Sequence, residues 1–239
     1  MNAASTLPIV FEDVEYAVGR ERLLGPLRFE VAAGSRTVIL GPNGAGKSLT
    51  LRLAHALIAP TRGRVAFGTP RAQALPRQAM VFQRPVLLRR STRANVEYAL
   101  ALRGVGRSER RSRSDAVLER AGLLEFAERP ARALSGGEQQ RLVLARAWAL
   151  EPEVLFLDEP SASLDPAATR RIEEIVAQVA AEGTKIVMTT HDLGQARRLA
   201  DEIFFLHRGK LCEHARAEVF FREPATREAR AFLAGELLW

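Results

Sequence analysis

The segment GPNGAGKS, Gly41 to Ser48, stands between a short β-branched run, RTVILG, and a stretch with helical spacing, SLTLRLAHAL. A glycine-rich turn in that setting curls its backbone N–H groups inward and makes a cradle for phosphate. Gly41, Gly44 and Gly46 permit the curl. Lys47 supplies a point charge for the β and γ phosphates of a nucleotide, and Ser48 offers a hydroxyl to Mg²⁺. A chance Lys-Ser after an ordinary glycine turn would leave the agreement of strand, loop and helix unexplained.

A second group of polar residues ends apolar runs. VLFLDEP, Val154 to Pro160, reads as a buried strand that delivers Asp158 to the carboxyl edge of a sheet, where ligands of such folds bind. Asp158 suits Mg²⁺, commonly by way of water. Glu159 projects differently and can polarise an attacking water, so the two acids divide metal-holding from nucleophile activation. The strand KIVMTT leaves His191 at the same kind of edge, a position that favours a working histidine over a surface one. Gln83, in VFQRP, ends another short apolar run; its neutral amide can touch both Mg²⁺ and the lytic water.

The stretch ALSGGEQQRL raises a different question. Ser135 has the position of an N-cap and Glu138 follows three residues later, the pattern of a capping box. Gly136 and Gly137 leave backbone N–H groups bare at the positive end of that helix, which attracts anions. Taken alone, the motif is satisfied by plain capping. In a chain that already has a phosphate loop, two copies arranged head to tail would place Ser135 and Gly137 of one over the γ-phosphate held by Lys47 of the other.

These groups need elements to hold them. The first thirty residues alternate apolar and polar, as in IVFEDVEYAV and LRFEVAAG, and read as antiparallel strands. After the phosphate loop, Leu49, Leu53, Ala56 and Leu57 share one helical face, and GRVAFG is a further strand. From about residue 84 to about residue 150 strand signals vanish and helical spacing takes over, with Val117, Leu118, Ala121 and Leu124 on one face. Strands then alternate with helices: VLFLD, a helix through Ile172, Ile175, Val176 and Val179, and KIVMTT. EIFFLHRGKLCEH reads as a hairpin around Arg208-Gly209, and the segment from Pro224 to Trp239 as a terminal helix. The expected fold is therefore α/β: a mostly parallel sheet core, an N-terminal antiparallel β region and an inserted all-helical subdomain. The organisation is one domain over residues 1–239, with the helical part at 84–150 inserted in a body of 1–83 and 151–239.

Bulk properties narrow the class. With 239 residues and 47% hydrophobic content, the chain can bury a substantial core. No apolar run approaches the about eighteen residues of a membrane span, and the N-terminus lacks a leader pattern. The single cysteine, Cys212, excludes an internal disulfide and suits a reducing cytosol. The net charge of +7 concentrates in LLRRSTR and LRGVGRSERRSRSD. Two readings of that charge stand: a solvated basic face, or contact with a membrane surface or membrane protein.

In this order, the motifs resemble the nucleotide-binding subunit of ATP-binding cassette (ABC) transporters over nearly the whole chain. GPNGAGKS is similar to Walker A, Gln83 to the Q-loop, LSGGEQQ to the signature, VLFLDEP to Walker B, SASLD to the D-loop and His191 to the switch histidine. The resemblance implies ATP and Mg²⁺ as cofactors. It implies ATP binding by Gly41, Pro42, Asn43, Gly44, Ala45, Gly46, Lys47, Ser48 and Leu49, and catalysis by Glu159, His191, Gln83 and Lys47. Ser48, Gln83 and Asp158 would hold the metal. Ser135, Gly136, Gly137 and Glu138 would act in trans across a head-to-tail homodimer, with Ser163, Leu164 and Asp165 as its D-loop. One position departs from the family. Where an aromatic usually stacks on adenine the chain has Val18, with Tyr16 two residues earlier. Either Tyr16 substitutes by a local shift, or apolar packing alone holds the base and discrimination is loose.

Within the family, the short chain without a fused membrane domain resembles a bacterial importer ATPase that sits on the cytoplasmic face of the inner membrane. It would work with integral membrane permease subunits and, through them, a solute-binding protein. VFQRPVLLRRSTRANVEYALALRGV and FFREPATREARAFLAGELLW are most similar to ATPases of oxyanion importers, tungstate first, then phosphate and molybdate. Rival readings are an exporter or lipid-transporter ATPase and a soluble cassette acting on nucleic acid or ribosomes. The last usually carries two cassettes or a long coiled coil, which the interval from Lys47 to Ser135 is too short to hold. No nucleic acid is expected.

Overall fold

The structure is a computed structural model that describes residues 5–69 and 77–236. The chain divides into two compact units, one from Met1–Gln78 with Lys185–Trp239, the other from Ala79–Thr184.

The first unit opens with β1 (Ile9–Val18) and β2 (Glu21–Val31), and β4 (Arg62–Phe67) joins them in the order β2–β1–β4, antiparallel throughout. The alternation read in the sequence puts Ile9, Phe11 and Val14 inside with Leu24, Leu27 and Val31. The rings of Phe11 and Phe29 stack at 4.2 Å. The other strands of this unit are β3 (Thr37–Leu40), β7 (Lys185–Thr190), β8 (Glu202–His207) and β9 (Lys210–Arg216), in the order β7–β3–β8–β9. β3 lies parallel to both β7 and β8, and every residue of β3 and β7 is buried. Unbroken apolar runs are what strands covered on both faces require. β8 and β9 form the expected hairpin, turning through Arg208 (φ 47) and Gly209 (φ 73), the left-handed pair that matches strand twist.

The helices of this unit are short: α1 (Lys47–Ala54), α6 (Leu193–Leu199), α7 (Ala217–Arg222) and α8 (Arg227–Leu233). The beginnings of β3, β7 and β8 are pinned by a polar network. Lys185 Nζ bonds Ser35 O, and Ser35 Oγ at 3.1 Å, and lies 3.3 Å from Glu202 Oε1. That carboxylate also accepts from Ser35 Oγ at 2.7 Å and from Thr37 Oγ1. Burial works to raise the Glu202 pKa, yet bonds from Thr37, Ser35 and His214 and the Lys185 charge outweigh it and bring it to about 2.

In the second unit β5 (Gln78–Val81) and β6 (Val154–Asp158) are hydrogen-bonded neighbours. Its helices are α2 (Thr92–Leu102), α3 (Arg107–Arg120), α4 (Gly136–Trp148) and α5 (Pro166–Ala181). Ser91 caps α2 by accepting from Ala94 N at 3.2 Å. Asp165 caps α5 by accepting from Ala168 N at 2.8 Å, with Pro166 in the first turn. Ile172, Ile175, Val176 and Val179 are buried along one face of α5, as their spacing predicts. The last residue of α4, Trp148, donates from its indole to Glu182 at 2.8 Å, while the Arg120 guanidinium lies 3.9 Å over its ring.

Three sequence expectations need correction. The helix after the phosphate loop ends at Ala54: Ala56 takes φ 62 and Leu57 is 49% exposed, so neither belongs to the helical face with Leu49 and Leu53. Likewise α3 stops at Arg120 because Gly122 turns the chain at φ 64, leaving Leu124 exposed and burying Leu123 in its place. Thirdly, the terminal helix is shorter than Pro224 to Trp239. Thr226 caps its start at Ala229 N, Gly235 turns the chain at φ 74 just beyond its end, and residues 237–239 lie outside the described part.

Candidate functional site

The phosphate loop in the first unit is closely walled at Gly41 and Gly46 and open at Gly44. A Cβ on Gly41 would stand 2.1 Å from Leu206 O, and one on Gly46 would stand 2.6 Å from Leu24 Cδ1. Gly46, at φ 97, is the cap of α1, and Thr50 returns both its N–H (2.9 Å) and its hydroxyl (3.0 Å) to Gly46 O. Gly209 N donates to Ala45 O at 3.1 Å, and Gly25 N donates to Gly209 O at 2.7 Å, so β2 and the β8–β9 turn wall the loop. Lys47 is buried, and its Nζ donates to Gly41 O at 2.9 Å and Pro42 O at 3.2 Å. Its charge is thereby fixed across the mouth of the loop. Asn43 and Gly44 are exposed, and Ser48 and Leu49 are half-buried at the start of α1. A curled backbone with an anchored ammonium fits a triphosphate.

In the same unit Leu40 of β3 pairs with Thr190 of β7, so Gly41 and His191 leave adjacent parallel strands at one edge. Thr190 Oγ1 accepts from Asp192 N at 3.0 Å, and Asp192 caps α6 at Gln195 N, 2.8 Å, which fixes the backbone on both sides of His191. Tyr16 pairs with Leu24, the residue against Gly46, and register shifts flank it on both sides; it is half-buried. Val18 pairs with Glu21 at the hairpin end and is 59% exposed.

In the second unit Asp158 ends β6 and is buried, and Glu159 follows at φ 45. A non-glycine residue in the left-handed region costs about 1 kcal/mol, a strain that turns its carboxylate off the strand direction. Ser163 is also left-handed, at φ 65, and Leu164 N closes a turn onto Ser161 O at 3.2 Å. Asp165 serves as the α5 cap described above. Gln83 is exposed, two residues beyond the end of β5.

The start of α4 is a complete capping box. Ser135 Oγ accepts from Glu138 N at 3.4 Å, and Glu138 Oε2 accepts from Ser135 N at 2.7 Å and Ser135 Oγ at 2.9 Å. The backbone bond and then the hydroxyl bond from Ser135 hold the Glu138 carboxyl below its usual range. Ser135 and Gly136 are exposed, and a Cβ on Gly136 would meet nothing within 4 Å. Gly137 differs, since its Cβ would stand 3.0 Å from Ala168 Cβ in the first turn of α5.

Sequence reasoning missed the residues that wall the phosphate loop, Leu206, Gly209 and Leu24, because each comes from a distant part of the chain. The Arg208-Gly209 turn was the available signal. Among the described residues no group of three or more His, Cys, Asp or Glu could hold a metal ion. No described helix is long and apolar enough to cross a membrane.

Residues 24–162 match a family model described as ABC transporter. The chain is 36% identical to the phosphate import ATP-binding protein PstB 1 of Vibrio vulnificus, over 95% of this chain and 90% of that protein. It is 37% identical to the methionine import ATP-binding protein MetN of Caulobacter vibrioides, over 94% of this chain and 72% of that protein. A dimeric structure of a post-hydrolysis ATP-binding cassette bound to ADP and Pi superposes with a TM-score of 0.77 at 27% identity, over 88% of this chain and 98% of the other.

Proposed function

The chain belongs to the ABC transporter family, and from that premise we propose that it drives an importer of an oxyanion, tungstate first. Its fold is the ABC cassette, its cofactors are ATP and Mg²⁺, and it hydrolyses ATP coupled to transport. The bare glycine start of α4 carries the assembly, because its capping box settles the helix while Gly136 stays open to an incoming anion.

In this proposal the chain works as a head-to-tail homodimer. Gly41, Pro42, Asn43, Gly44, Ala45 and Gly46 cradle the phosphates by their backbone, and Lys47 neutralises the β and γ oxygens. Leu49 supports that cradle, and the base rests on Tyr16 or Val18. Ser48, Gln83 and Asp158 would hold Mg²⁺, which would neutralise the phosphate charge; a hydroxyl, an amide and a carboxylate suit a hard cation that takes oxygen ligands. Glu159 accepts a proton from the water that attacks the γ-phosphorus in line, and His191 and Gln83 hold that water's surroundings. Ser135, Gly136, Gly137 and Glu138 act on the partner's nucleotide, with Ser163, Leu164 and Asp165 at the same interface. Preorganised donors at the spreading γ-phosphoryl charge make the assembled dimer faster than the separated chain. The chain then lies on the cytoplasmic membrane face against permease subunits fed by a solute-binding protein. PstB 1, a phosphate importer ATPase by name, supports an oxyanion; MetN, named for methionine, marks the competing cargo.

The test is capture from native membranes with tagged Glu159→Gln protein and ATP. A permease with a solute-binding protein that carries tungsten, molybdenum or phosphate supports the proposal. A binding protein loaded with an amino acid removes the oxyanion, a permease without a binding protein points to export, and ribosomes or DNA overturn transport altogether.

A further inference from the structure

The arginine-rich run LRGVGRSERRSRSD has no role in the nucleotide chemistry proposed above. In the structure it forms the tip where α2 meets α3. α2 ends at Leu102, which is 71% exposed, Gly104 turns the chain at φ 75, and α3 begins at Arg107. Arg103, Arg107 and Arg111 are all exposed, and none has an ionic or hydrogen-bonding partner among the described residues. Arg110 Nε is buried without a partner.

Local physics does not ask for this arrangement. The first turn of a helix carries the positive end of its macrodipole and is stabilised by acidic groups. Here Arg107, Arg110 and Arg111 crowd that end, behind a Gly106 cap that has no side chain to offer. Glu109 is the acid in that turn, and it lies 3.4 Å from Arg113, which also binds Glu151 and Ala149 O. Arg107 and Arg111 are a like-charge pair four residues apart, which weakens a helix. Only Arg103, at the end of α2, is where its own helix favours a cation. The rest is a cost to α3 that an external anion would relieve.

We infer that the α2–α3 tip is an electrostatic foot for an anionic lipid surface, with Leu102 as its apolar contact. A polybasic segment gains attraction from each arginine near such a surface, and an exposed leucine at its point suits the headgroup boundary. A nucleic-acid partner is disfavoured, because no aromatic residue stands in Leu102–Arg113 to stack on a base. The inference depends on the surface alone and borrows only its biological setting from the peripheral placement proposed above.

Flotation of the purified full chain with phosphatidylglycerol–phosphatidylcholine vesicles tests it, with ATP turnover measured alongside. Wild type should float with the anionic vesicles at low salt, stay behind at high salt, and ignore pure phosphatidylcholine. R103Q/R107Q/R111Q should lower vesicle partition roughly a hundredfold at unchanged turnover, and the triple Lys variant should keep it. Leu102→Ser should weaken partition only several-fold. The inference is overturned if wild type ignores anionic vesicles, if the triple Gln variant partitions normally, or if the Lys variant loses binding. Displacement of the vesicles by duplex nucleic acid acting through the same arginines would overturn the lipid assignment. Failure of ATP turnover in the wild type would sink the ATPase reading and leave the vesicle result standing.

Discussion

Gly41 and Gly136 both stand at turns suited to anions, yet they are small for different reasons. A side chain at Gly41 would run into the backbone oxygen of Leu206 at 2.1 Å, so the fold itself requires glycine. At Gly136 a side chain would meet nothing within 4 Å, and the residue is not among those with positive φ. Glycine in a helix gives up about 0.5–1 kcal/mol relative to alanine. The first turn is built inward by its own chain, and the second is kept bare at a cost its chain does not recover. That contrast separates a glycine that its own fold requires from one that its own fold does not.

Gly41→Ala should destabilise the fold by about 3 kcal/mol through the backbone clash, read as a shift in urea midpoint. An unchanged midpoint would show that the loop's wall yields. Ser135→Arg should lower turnover by about a hundredfold while nucleotide binding to the single chain survives; loss of that binding would tie the α4 start to its own chain's nucleotide. Gly136→Ala sharpens the contrast most. It should stabilise the fold by about 0.5–1 kcal/mol and yet slow turnover several-fold, and a variant that is both more stable and fully active would remove the case for a role of the α4 start in trans.

A separate, pH-dependent effect belongs to one carboxylate of the first unit. Glu202, tied into the strand starts of the first unit, falls from 4.5 to about 2 in the folded chain. Its folded pKa lies below the unfolded one, so its stabilisation is complete above pH about 4.5 and drains away as pH falls toward about 2. Denaturation midpoints across that window should steepen in wild type and flatten in Glu202→Gln. Equal slopes in the two proteins would show that the network at Lys185 does not depend on this charge.

Much of the scaffold was legible in the residues. VLFLD and KIVMTT read as buried strands because their apolar, β-branched runs are short and unbroken, and Arg208-Gly209 read as a turn because hairpins need left-handed residues there. The ends of helices were harder. Ala56 reverses the chain after α1 in a segment, LAHAL, made mostly of good helix formers, so propensity alone does not place the helix end. Glu159 gave no sign of its left-handed backbone, since non-glycine strain is imposed by surroundings. The Ser35–Lys185–Glu202 network joins residues far apart in the chain, and only the parallel pairing of β3, β7 and β8 brings them together. The candidate site residues, by contrast, came from local motifs and from the family resemblance those motifs carry, while the walls around them did not.

The bond from Gly209 N to Ala45 O ties the phosphate loop to a turn made very much later in the sequence. During synthesis the loop's residues emerge early, and their brace emerges only with the β8–β9 hairpin. Chains build such long-range closures slowly, after the entropy of the intervening segment has been spent. A ribosome-bound chain lacking that hairpin carries the motif without the walled cradle. The full wall of the loop is thus completed late in the growing polypeptide, once two sequence-distant segments have met.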